Sequence, residues 1–398
     1  MTTLQTTAGR HPTSYDVTTS RPRLVSRALL VRFVSIIGSA IGFYLPLSVV
    51  PLVAQDAGSA STAGFATVAL LLATVSCELV TPRLVSLVGY RWALALGLLF
   101  LGAPTVVLVF VASTPAILVV SVLRGIGFAV CVTAGGAVTA SLIPAERRGE
   151  GLALVGIVGG IPGMLALPAG VWIAARWGYA PVFVATTVIT LVALVSVPGL
   201  PSRKVSGRCS DEVEPSVLAG LRSAAIRRPA AIFATSTAAV GVLVTFVPLA
   251  VTGAHAWVAA AALLAQPAAS TGSRWVAGRV GDRRGQAVLL VPGLLLGVAG
   301  MLGVAVIGSA VAVISGAFVF GLGFGVLQNA TICLMFARAP EGSEGVVSAI
   351  WNAAYDLGMA AGALGAGLVV AHVGYAAIFA LAALVMVPGL AGVRRDRR

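Results

Sequence analysis

Long apolar runs, broken by short charged or glycine- and proline-rich stretches, set the pattern of this chain. Apolar and polar positions do not alternate within the runs, so they read as helices and not as strands. Twelve can be marked. The first six are 29–54, 62–83, 92–112, 116–142, 151–176 and 180–199. The second six are 229–251, 256–277, 287–307, 310–335, 347–372 and 375–393. Each approaches the roughly 20 apolar residues needed to cross a bilayer. In hydrocarbon only helices and closed barrels satisfy every backbone polar group. The expected fold is an all-α membrane protein of twelve transmembrane helices in two six-helix bundles. Its expected parts are a disordered tail at 1–25, a bundle at 26–200, a linker at 201–228, a bundle at 229–393 and a tail at 394–398.

The halves repeat. An offset of 196 aligns Gly89 with Gly285, and Gly125-Ile126-Gly127-Phe128 with Gly321-Leu322-Gly323-Phe324. It also aligns Gly178-Tyr179-Ala180 with Gly374-Tyr375-Ala376. Several independent markers at one offset point to a duplicated six-helix unit.

Composition agrees with lipid as the solvent. Of 398 residues 58% are hydrophobic and 10% charged, with mean hydropathy +1.01. A soluble domain carries about a quarter charged residues. The net charge of +13 raises nucleic-acid binding, and the placement of the charge removes it. All but two of the 26 basic residues are assigned to one side, that of the tails, the linker and the loops leading from even to odd spans. Arg176 lies on the opposite side, and Arg124 lies inside the fourth span. By the excess of Lys and Arg on cytoplasmic loops, both termini and the linker face the cytoplasm. The expected location is the inner (cytoplasmic) membrane, and no nucleic-acid partner is expected. Residues 1–22 are polar and lack the apolar core of a cleavable signal peptide. Cys77, Cys131, Cys209 and Cys333 do not pair at metal-ligand spacing. No Ser/His/Asp triad, phosphate loop or metal cluster is legible, so neither an enzyme nor a cofactor is expected.

The densest charge lies at Ala277–Gln286, AGRVGDRRGQ, between the eighth and ninth spans. Gly278, Asp282, Arg283 and Gly285 give the pattern GxxxDRxG. This loop closely resembles the signature loop of the major facilitator superfamily of transporters. Its first-half copy, Pro82 to Arg91, is worn: Pro82 replaces the glycine and Ser86 the acid. The junction from Pro144 to Gly151 resembles the PxxRRGxG sequence of drug and sugar efflux members. Gly156, Gly159, Gly160, Pro162, Gly163, Pro168 and Gly170 resemble the glycine-proline motif of antiporters, with departures downstream. NAAYDLG at 352–358 resembles the eleventh helix of the twelve-helix drug and arabinose efflux branch. The resemblance covers about 25–395. It implies a parallel repeat, a substrate site between the halves and alternating access. It also implies a cytoplasmic gate at Gly278, Asp282, Arg283 and Gly285, joined by Arg148 and Glu150. Gly278 is expected to let two helices approach closely. The alternative for the Arg148/Glu150 end is a plain helix cap and topology anchor.

Function then falls to the polar groups inside the spans. Charged side chains there are costly and mark sites by default. Asp356, Glu78 and Arg124 are the proton-coupling candidates. Burial disfavours the charged form of a carboxylate, the property a proton carrier needs. Tyr44, Gln266, Gln328, Asn329, Trp351, Asn352 and Tyr355 are the candidates for lining a substrate cavity. Each also has a structural alternative, an ion pair or an interhelical hydrogen bond. The expected activity is proton-coupled efflux of a small amphiphilic molecule, such as an antibiotic or secondary metabolite, by a monomer in the bilayer. The alternatives are export or uptake of a sugar or siderophore, or a non-transporting membrane sensor or scaffold of the same fold.

Overall fold

The computed structural model describes residues 25–143, 148–200, 222–340 and 344–396; the side chains at 148–153, at Asp282 and at a few other positions lie outside that description. Residues 1–24 of the tail expected at 1–25, Cys209, most of the linker and the loop residues Pro144 to Arg147 also lie outside it. The described chain is helical throughout. The first half holds α1 (Arg27–Tyr44), α2 (Val50–Ala57), α3 (Ala60–Val88), α4 (Tyr90–Gly102), α5 (Thr114–Leu142), α6 (Arg148–Trp177) and α7 (Ala180–Leu194). The second half holds α8 (Ala224–Ala250), α9 (Ala256–Arg284), α10 (Leu290–Val304), α11 (Ala310–Arg338) and α12 (Glu344–Asp396). A 3-10 turn extends α4 to Phe110.

Ten of these helices are long and apolar enough to cross a membrane. Two features restore twelve spans. The last helix turns at Gly374 (φ 79°, ψ 171°) and holds two spans. The other is α9, whose 29 residues suffice in length but carry Gln266, Ser270, Thr271, Ser273 and Arg274.

The expected first span at 29–54 is not one helix. It stops at Tyr44 and restarts at Val50. Pro46 has no N–H, so the carbonyl of Gly42 loses its ordinary helical donor. Leu47 N–H turns back to the Tyr44 carbonyl at 3.2 Å, which leaves the Phe43 carbonyl free as well. The Arg124 guanidinium donates to that carbonyl at 3.0 Å. The break is thus closed by a side chain from α5.

The repeat seen in sequence returns as backbone and packing. Gly89 and Gly285 have φ 83° and 84°, and Gly178 and Gly374 have φ 81° and 79°. This is a region essentially open to glycine alone where ψ is also extended. A Cβ on Gly125 would strike the Leu70 carbonyl, and one on Gly321 the carbonyl of Gln266. A Cβ on Gly127 would strike Leu101 N–H and the Gly97 carbonyl; one on Gly323 would strike Gly297 N–H and the Gly293 carbonyl. Each GxGF element therefore seats two neighbouring helices in the same way. Between membrane helices small residues permit this backbone approach, and packing replaces the hydrophobic drive.

The halves meet along α3 with α12 and α6 with α9. Gly64 lies against the Ala363 carbonyl and Gly367. Ser61 Oγ donates to the Gly367 carbonyl at 2.6 Å. Thr67 and Thr245 share a hydroxyl hydrogen bond of 3.1 Å. Gln55 Nε2 donates to Tyr375 OH at 2.8 Å. These cross-half contacts cluster toward the Ala60 end of α3. Further along α3, Leu71 and Glu78 line a cavity.

Candidate functional site

The cavity lies between the halves and has two adjoining lobes of about 360 and 410 Å³. Tyr44, Leu47, Arg274, Gln328, Tyr355 and Met359 belong to both. The first lobe adds Glu78, Trp351, Asn352 and Asp356. The second adds Gln266, Ser270 and Thr271, with Gly156, Gly160 and Gly163.

Each wall follows from local structure. The break after Tyr44 ends α1 beside the cavity, so Phe43 and Tyr44 face it. On α6, a Cβ at Gly163 would strike the Tyr44 ring and one at Gly170 the Leu45 carbonyl. At Gly156 and Gly160 a Cβ would meet nothing within 4 Å. The glycine-proline motif thus does two jobs: its later glycines seat the broken helix, and its earlier ones leave the cavity wall bare. On α12, Gly358 and Gly362 press against Ala234, Thr237 and Ala238 of α8. That contact turns Trp351, Asn352, Tyr355 and Asp356 toward the cavity.

Asp356 from the second half and Glu78 from the first line the same lobe. Trp351 is held by its ring N–H, which donates to Thr331 Oγ1 at 3.1 Å, and by stacking on Phe233 at 4.4 Å and 13°. Gln328 accepts from Ser270 Oγ at 3.4 Å. Gln266 lines the second lobe.

Three expectations change. Arg124 does not line the cavity: it is 0% exposed, spends one N–H on Phe43, and its Nε has no hydrogen-bond partner among the described residues. Asn329 is also turned away: it lines neither lobe, and its amide lies beside Gly278 instead. Its amide donates to Gln286 Oε1 at 3.4 Å. Gly278 is not a close-approach point: a Cβ there would meet only the Asn329 amide, at 3.9 Å. The tight glycine of that loop is Gly281, where a Cβ would strike Gln286. Of the remaining gate residues, Arg283 and Gly285 are exposed. The side chains of Asp282, Arg148 and Glu150 lie outside the described residues.

Of the arginines counted with the cytoplasmic charge, one is buried in the fold and another lines the cavity. Arg32 is buried at 4% exposure, donating to Thr139 Oγ1 at 3.2 Å and Ser35 Oγ at 2.6 Å. Arg274 lines both lobes. The signal for Arg274 was present: the eighth span is the least apolar, and its polar residues at 266, 270, 273 and 274 recur at helical spacing.

A Major Facilitator Superfamily model matches residues 32–363. No curated protein sequence matches the chain. Among solved structures, a mutant form of the nucleoside transporter NupG superposes with TM-score 0.73 at 13% identity, covering 91% of this chain and 98% of its own. A mutant form of the peptide transporter POT gives 0.73 at 15%, covering 93% and 94%. The E. coli xylose transporter XylE, in a partially occluded inward-open conformation, gives 0.71 at 14%, covering 92% and 98%. At these identities the likeness is one of fold.

Proposed function

The chain belongs to the Major Facilitator Superfamily, and on that premise we propose that it exports a small amphiphilic molecule in exchange for protons. It is a multi-pass membrane protein and a secondary transporter, not an enzyme. The observation that carries the export reading is the pair of carboxylates, Asp356 and Glu78, one from each half, facing one aromatic-walled cavity. A carboxylate in such a site can hold a proton while the cavity faces one side and release it on the other. The two halves rock about the site, as in repeat-built transporters. With the basic loops in the cytoplasm, the face closed by Ser61, Thr67 and Gln55 is the outer one. The conformation described is then inward-facing.

The gate loop belongs to this reading. In the outward-facing state the second-half loop, with Asp282, Arg283 and Gly285, closes against the α6 end that carries Arg148 and Glu150. Glu150 lies in the first turn of α6, where the helix dipole favours an anion.

The test is accumulation of a panel of fluorescent amphiphiles in cells with and without the protein, before and after a protonophore. Lower accumulation that the protonophore abolishes is expected. Asp356→Asn should abolish the difference at unchanged membrane expression. Unchanged accumulation across the panel, or full activity of Asp356→Asn, would sink the reading. Higher accumulation in expressing cells would reverse the direction to uptake.

A further inference from the structure

The charges of the cavity are not balanced by one another. Arg274 reaches both lobes, while Glu78 and Asp356 lie in one. None of the three makes an ion pair or hydrogen bond with another described residue. A charge within the membrane is costly unless it finds a partner. Here the partners are left for a guest to supply. Arginine's planar fork is suited to a carboxylate, which it can bind through two parallel hydrogen bonds. The two carboxylates are suited to an ammonium.

Between these charges the walls are aromatic on both sides. Phe43 and Phe128 of the first half stack at 3.7 Å and 18°, with the Tyr44 ring edge-on to Phe43 at 5.1 Å. Trp351 and Tyr355 face them from the second half. Trp351 is fixed from behind by Phe233 and at its ring nitrogen by Thr331, so the surface it offers is a preset ring face. Preset aromatic faces bind flat rings and cations with little ordering cost.

We propose that the substrate class of this cavity is an aromatic zwitterion: a flat ring system bearing a carboxylate that binds Arg274 and an amine that binds Asp356, with Glu78 as the second carboxylate. This rests on the cavity being the transport site. Charge counting joins the two readings. The zwitterion answers Arg274 and one carboxylate, and the second carboxylate remains to carry a proton. Cargo and proton then use different acids in the same lobe.

The probe is a matched series on one fluorescent scaffold. Norfloxacin supplies both charges; its ethyl ester keeps only the cation, its N-acetyl derivative only the anion, and the doubly blocked form neither. Binding is measured by equilibrium dialysis against the purified full chain in lipid nanodiscs, with protein-free nanodiscs subtracted. The zwitterion is expected to bind at least tenfold tighter than either singly blocked form. Arg274→Gln should erase the preference for acid over ester and leave the preference for free over acetylated amine. Asp356→Asn should do the reverse. Both variants are first checked for monodisperse elution and helical content. Four affinities within a factor of two, a tightest-binding ester, or no binding by the zwitterion would each overturn the assignment. Nanodiscs carry no gradient, so this result is independent of coupling. A chain that expels amphiphiles in cells yet fails the charge series loses the substrate class and keeps export. A chain that passes the series yet never responds to a protonophore keeps the class and loses coupling.

Discussion

At the scale of single residues, the sharpest contrast is between two charges that the sequence presents alike. Asp356 and Arg124 are both ionisable residues deep in apolar runs. The structure turns Asp356 to the cavity and Arg124 into the packed first half. Arg124 acts as the donor that satisfies the Phe43 carbonyl at the break in the first span. Arg124→Met keeps the length and loses the donors, leaving a buried carbonyl unpaired at a cost of about 1–3 kcal/mol. Arg124→Lys keeps a donor and should recover most of that loss. Thermal denaturation of the purified proteins reads the difference; a Met variant as stable as the parent would remove the capping role. Sequence reasoning could find that Arg124 was buried but not what it bonds, because its acceptor, the Phe43 carbonyl 81 residues away, is freed only once Pro46 has broken the helix. Nor could the sequence separate Asn329 from Gln328: adjacent residues such as Trp351 and Asn352 share the cavity wall, whereas of this pair only Gln328 lines it.

At the scale of elements, α6 separates two kinds of glycine that look identical in a motif. Gly163 and Gly170 carry the broken first span on their bare faces, whereas Gly156 and Gly160 face open space. Gly170→Val should therefore drive a side chain into the Leu45 backbone and cost about 1–3 kcal/mol or more by overpacking. Gly160→Val should fold normally and shrink the cavity, weakening substrate binding. Comparing elution profiles with the concentration dependence of transport separates the two; equal losses of folding at both sites would refute the division. The helices themselves were legible because apolar run length is a strong signal in lipid. One element escaped it, and another was marked at 256–277 in spite of its polarity. The first span is broken at Pro46 although its composition is continuous. The eighth span, α9, is long but too polar to rank among apolar helices, since one face supplies the cavity with Gln266, Ser270 and Arg274. The element least like a membrane helix is the one that furnishes most of the second lobe's polar wall.

At the scale of the whole molecule, duplication supplies both the frame and a way to move it. The repeated Gly-Tyr-Ala corner yields two tyrosines that converge on adjacent residues at the end of α2. Tyr179 donates to Asp56 at 2.7 Å within its own half, and Tyr375 receives Gln55 at 2.8 Å from the other half. Burial first, and then the bond to Asp56, raises the Tyr179 phenol above its ordinary range, so it stays a donor. The bond within one half can persist through a rigid-body rotation, while the bond between halves must break. Gln55–Tyr375, Ser61–Gly367 and Thr67–Thr245 thus hold one face shut. A ligand or mutation shifts such an equilibrium only by its differential effect on the two states. Tyr375→Phe removes a contact present in one state alone and should favour the other, whereas Tyr179→Phe should shift it little. With hydrogen bonds worth about 0.5–1.5 kcal/mol each, the expected change is roughly two- to tenfold in the ratio of states. A cysteine placed at Met359, in the cavity wall, reports that ratio as its labelling rate by an impermeant reagent added from outside. Faster labelling in Tyr375→Phe but not in Tyr179→Phe is expected; equal rates in both would mean that the cross-half bond does not hold the closed face.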